Sequence, residues 1–139
     1  MKNGIIISKL AVIDSYLAKL ESYLPVDKQR LRDDWGLQKI IERSLQVMVE
    51  AMIDIAERII SNEGAAPPAT SSEAIERLKD RGIVKEADTY IKMVRFRNLL
   101  VHNYNSLDLE VLHEIIAARL DDFKKFRSEI LAYEKSRIS

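Results

Sequence analysis

Residues 28–62 read KQRLRDDWGLQKIIERSLQVMVEAMIDIAERIISN. From Ile41 onward the apolar side chains recur through Leu45, Met48, Met52, Ile55 and Ile59, always three or four residues apart. That period is one face of an α-helix and not the alternation of a strand. The spacing predicts one long amphipathic helix over Lys28–Asn62, with Leu31 and Trp35 on its early apolar face and Asp27 as N-cap. Gly36 is its weak point and a candidate kink, since an interior Gly costs about 1 kcal/mol relative to Ala. Trp35, Met48 and Met52 are assigned to the core.

The flanking segments repeat the same logic. Leu10, Ile13, Leu17, Leu20 and Leu24 place a helix over Ile6–Leu24, and Pro25 ends it. Glu63-Gly64-Ala65-Ala66-Pro67-Pro68-Ala69 is a loop. Thr70 or Ser71 starts a short helix, Ser71-Ser72-Glu73-Ala74 offers capping chemistry, and Arg81-Gly82 stops it. A further helix spans Lys85–Val101 and is broken by Asn103-Tyr104-Asn105-Ser106. Asp108 opens the last one, which runs to Lys135. With only 4 Gly and 3 Pro in 139 residues, there are few turn residues for a sheet protein. The expected architecture is all-α, an up-and-down bundle in a single domain over 1–139.

Composition narrows the chemistry. Lys+Arg and Asp+Glu are 22 each, so the net charge is zero and an all-over basic glove for nucleic acid is excluded. Cys is absent, which excludes disulfides, thiolate metal sites and a thiol nucleophile. The 2 His do not sit at ligand spacing, so neither a metal nor another cofactor is expected. The Ile5-Ile6-Ile7 run is too short for a signal core or a membrane span. A cytoplasmic protein with no membrane partner is expected.

The segment Tyr90–Val101 carries the odd feature. On a helical wheel, Tyr90, Met93, Val94, Leu100 and Val101 form an apolar stripe, and Arg97 falls within about 20° of its centre line. A guanidinium there must be paired, sit at an interface or face an anion-binding cleft. Asn98 and His102 are four residues apart and share a face. Arg97 and His102 lie about 140° apart on a straight helix. Between Lys92 and Asn105 there are three basic residues and no acidic one. Arg clamps phosphate bidentately, and His both takes and gives a proton near neutral pH. That set suits RNA cleavage through the ribose 2′-hydroxyl, and it equally fits a structural ion pair beside a polar core histidine. His113 is read as structural.

Arg97-Asn98-Leu99-Leu100-Val101-His102-Asn103-Tyr104 resembles the R-x4-H-x-Y motif of HepT-like proteins of the HEPN superfamily. The runs Met93–Asn98 and Gln46–Ala56 are similar to the same group. The resemblance implies a HEPN-type four- to five-helix bundle and a toxin with metal-independent endoribonuclease activity. Arg97 and His102 would be catalytic, and Asn98 would bind substrate. It implies two partners besides RNA. One is a nucleotidyltransferase antitoxin that places AMP on Tyr104. The other is a second copy of the chain, docked through the helix carrying Arg97. The wheel agrees, since Phe96 and Leu99 occupy the remaining side of that helix and make it apolar almost all round. Under the alternative, the chain is a non-catalytic HEPN binding subunit of a nucleotidyltransferase complex. Arg43, Gln46, Glu50, Asp54 and Glu57 share one flank of the long helix. There Glu50 or Asp54 is a candidate to orient Arg97 or His102, against a plain solvated face.

Overall fold

A computed structural model describes residues 4–102 and 109–138, without the side chains of 101, 102 and 138. The helices are α1 (Gly4–Glu21), α2 (Lys28–Asp33), α3 (Trp35–Asn62), α4 (Ser71–Asp80), α5 (Asp88–His102), α6 (Leu109–Glu114) and α7 (Leu120–Ile138). A π-helical turn, Ile115–Arg119, joins the last two. Every regular element among the described residues is helical, as the periodicity predicts. No described helix is long and apolar enough to cross a membrane.

α3 is the central mast. Ile41, Leu45, Met48, Met52, Ile55 and Ile59 are almost wholly buried, and α1, α2, α4 and α5 all pack on it. Cross-links fix the direction of the neighbours. Lys124 pairs with Glu21 at 3.0 Å and Arg127 with Asp14 at 2.7 Å, so α7 runs antiparallel to α1. Tyr90 donates from its hydroxyl to Glu129, while the α5 residues Met93 and Phe96 share a cavity with Asp122. Hence α5 also runs antiparallel to α7. Tyr90 and Phe126 meet edge-to-face in the core, with ring centroids 5.1 Å apart.

Two expectations about the long helix are corrected. The break falls at Asp34 and not at Gly36. The Asp34 backbone N–H donates to the Arg30 carbonyl at 2.9 Å, ending α2. Its carboxylate accepts from the Leu37 N–H at 3.0 Å, starting α3. One short acidic side chain thus competes with the helical backbone and divides the segment. The break also resets the helical phase, so Trp35 is not in the core. It is 71% exposed, and the Lys39 ammonium stands 5.5 Å from its ring centre.

The final helix is likewise not continuous. The π-helical turn widens the backbone, so Leu112, Ile116 and Leu120 all reach the core at a four-residue step. A straight α-helix drifts about 40° at each such step. Loop chemistry falls where the sequence places it. Gly64 follows α3 and Gly82 follows α4, both at φ near +74° and +73°, where a residue without a Cβ has no strain.

Candidate functional site

α5 is held at its start by Tyr90. Burial, the hydrogen bond to Glu129 and the charges of Glu129 and Asp122 push the Tyr90 hydroxyl pKa far above its ordinary value. The second Glu129 oxygen accepts from the Lys85 N–H at 2.7 Å. This clamp sets the rotation of α5. Ile91, Met93, Val94 and Phe96 turn inward, and Arg97, between buried Phe96 and exposed Asn98, is half-buried against α3 and α4.

The Arg97 guanidinium opens on a trough of about 430 Å³ between α1, α3 and α4. Lys9 and Arg43 contribute positive charge to its walls, and Glu50, Asp54 and Glu57 contribute negative charge. Asp54 is taken by Lys9 at 3.1 Å. The Arg97 Nη2 donates to the Ser71 Oγ at 3.5 Å. Its Nε is buried and has no hydrogen-bond partner among the described residues. No carboxylate among them forms an ion pair with Arg97, although Glu50, Asp54 and Glu57 line the same trough. A planar cation with spare donors at the wall of an open polar trough is suited to gripping a phosphate.

The other sequence candidates are placed unevenly. His102 is the last residue of α5, while its imidazole and the whole of Tyr104 lie outside the described residues. Asn98 is exposed and does not line the trough with Arg97. Consecutive helical residues point about 100° apart. Glu50 and Asp54 do line the trough, and neither touches Arg97 among the described contacts. His113 is half-buried against Leu24, Pro25 and Val26, away from Arg97.

The apolar circumference expected for α5 needs one correction. Phe96 is only 7% exposed, because it packs within its own protomer. Leu99, at 57%, is the large apolar side chain that α5 leaves in solvent among the described residues. Sequence reading missed two neighbours of Arg97. Lys9 is brought in by tertiary packing, which no local pattern announces. Ser71 was legible in principle. Thr70-Ser71-Ser72-Glu73 is a capping box with Thr70 as cap, and that leaves the Ser71 hydroxyl unassigned.

Residues 13–130 match a family profile described as Ribonuclease HepT-like. The chain is 30% identical over 132 residues to the mRNA nuclease HepT of Shewanella oneidensis, covering 94% of this chain and 98% of that protein. It is 29% identical over 131 residues to the tRNA nuclease HepT of Aphanizomenon flos-aquae, with coverage of 93% and 89%. Among solved structures it resembles a tri-AMPylated Shewanella oneidensis HEPN toxin in complex with an MNT antitoxin. The TM-score there is 0.86 at 30% identity, covering 94% of this chain and 98% of that one. The match runs from α1 into α7 and contains both Arg97 with its trough-facing guanidinium and the Arg97–Tyr104 motif: the chain belongs to the HepT-like ribonuclease family.

Proposed function

We propose that this protein is the toxin of a toxin–antitoxin pair, a cytoplasmic, metal-independent endoribonuclease. The observation that carries this reading is the Arg97 guanidinium, set on the face that buries Tyr90, Met93 and Val94 and turned to an open trough with no carboxylate pairing it among the described residues. In the reaction, the ribose 2′-oxygen attacks the adjacent phosphorus and the bond to the 5′-oxygen breaks. His102 takes the 2′-hydroxyl proton or gives one to the departing 5′-oxygen. The products are a 2′,3′-cyclic phosphate and a 5′-hydroxyl. Arg97 neutralises charge that builds on the phosphate oxygens, a contribution of about 3 kcal/mol, or about a hundredfold in rate. Asn98, exposed beside it, contacts the RNA backbone.

Two copies assemble through α5. Leu99 supplies the exposed apolar contact, and the pair of helix ends brings two Arg97–His102 sets to one two-fold axis. The antitoxin is a nucleotidyltransferase of the kind named with the related toxin. The Tyr104 hydroxyl attacks the α-phosphorus of ATP and pyrophosphate leaves. Each added AMP brings a negative charge and a bulky nucleoside, so RNA is repelled and blocked.

The reading is tested by expressing wild type, Arg97→Ala, His102→Ala and Tyr104→Phe with and without the partner enzyme. Alone, wild type and Tyr104→Phe arrest growth and degrade RNA, while the other two do neither. With the partner and ATP, wild type gains AMP-sized mass and is silenced, whereas Tyr104→Phe gains none and stays toxic. Neutralised wild type without any mass gain would point to occlusion by binding alone.

A further inference from the structure

The start of α4 holds a side chain that its helix does not need. Thr70 is the N-cap, its Oγ1 accepting from the Glu73 N–H at 3.0 Å. Glu73 closes the box by accepting from the Ala69 N–H at 2.7 Å. Arg77 ties the same turn to Glu73 and to the Ala66 carbonyl, while Ala74, Ile75 and Leu78 anchor the helix in the core. Ser71, the first residue of α4, therefore stands on a fixed platform with its hydroxyl spare. That hydroxyl meets Arg97 Nη2 at 3.5 Å.

A neutral partner matters here. A carboxylate at this position would hold Arg97 more firmly, yet it would also neutralise the charge that a phosphate needs. A hydroxyl fixes direction and leaves the charge whole. The nearby carboxylates are kept from that role: Asp54 is engaged by Lys9, and Glu50 and Glu57 line the trough without pairing to Arg97. We infer that Ser71 is a positioning residue, whose hydroxyl aims the Arg97 guanidinium into the trough without cancelling its charge. The inference rests on the reading of Arg97 as the phosphate clamp.

The test measures kcat and KM for cleavage of a single-stranded RNA by the full chain, with thermal melts of each variant. Ser71→Ala lowers kcat about tenfold, the scale of one hydrogen bond to a charged group, and leaves KM within about twofold. Ser71→Thr, which keeps the hydroxyl, brings kcat back to within about threefold of wild type. Ser71→Asp is the decisive variant. An acidic residue in the first turn favours the helix, so the protein melts at or above the wild-type temperature. The new carboxylate claims Arg97, however, and kcat falls about a hundredfold. In an Arg97→Lys background, Ser71→Ala changes kcat by less than about twofold, since the two changes act through one group. If Arg97→Ala is inactive while Ser71→Ala and Ser71→Asp cleave like wild type, the Ser71 role is overturned and the clamp stands. If Arg97→Ala itself cleaves normally, the clamp reading falls first, and the Ser71 role falls with it.

Discussion

Tyr90 shows how one buried hydroxyl serves a site it never touches. Its bond to Glu129 sets α5 against α7, and Arg97 is two helical turns further along the same helix. Tyr90→Phe removes one donor and leaves Glu129, among the described residues, with the Lys85 N–H, at a cost of about 1 to 2 kcal/mol. The pH response follows from the raised Tyr90 pKa. Below about pH 10 the folded and unfolded chains both keep this proton. Above it the unfolded tyrosine ionises while Tyr90 in the fold stays protonated, so stability falls as pH rises. Urea unfolding at about pH 8 and about pH 11 should show that loss in wild type and a smaller one in Tyr90→Phe. At this scale the sequence was only partly readable. Arg97 stood out because a cation on an apolar stripe demands an explanation. Ser71, Lys9 and Glu129 did not, because their partners are distant in the chain.

Individual elements were legible where local chemistry decides them. The end of α3 at Asn62, the start of α4 after Thr70 and the stop before Gly82 follow from caps and glycine. The break at Asp34 was hidden, since Gly36 was the more obvious breaker. Asp34 wins because it both receives the end of α2 and caps α3. The glycines should therefore respond with opposite signs. A methyl at Gly36 meets only the Asp34 side chain at 3.6 Å, so Gly36→Ala stabilises by about 0.5 to 1 kcal/mol. Gly64→Ala and Gly82→Ala force an L side chain to positive φ and cost about 1 to 2 kcal/mol each. Asp34→Ala loses the α3 cap and about 1 kcal/mol. Denaturant midpoints at constant slope will rank the four variants. The π-helical turn had no sequence signal. It arises because Leu112, Ile116 and Leu120 must share one core with the later α7 residues.

Among the described residues, the bundle buries most of its apolar side chains and leaves Ile5, Ile7, Trp35, Ile40, Leu99 and Val111 exposed. Phe96 is absorbed by its own core, and Leu99 stays exposed on α5. Leu99→Asp should therefore separate the proposed dimer without unfolding the protomer. Light scattering at micromolar concentration gives a monomer with unchanged helicity, whereas a monomeric wild type would contradict the assembly. All-α architecture was readable throughout, because period and turn content agree. The relative rotation of the helices was not, and it is rotation that turns Arg97 to the trough and leaves Asn98 and Trp35 in solvent. In the proposed function, Arg97 and His102 cleave RNA through its own 2′-hydroxyl. That cleavage is tested most directly with purified wild type, Arg97→Ala and His102→Ala on matched RNA and DNA strands in EDTA. Wild type should cut only the RNA and leave a 2′,3′-cyclic phosphate, and both folded variants should leave it intact. Cleavage of the DNA, dependence on added Mg²⁺, or normal cutting by either folded variant would contradict it.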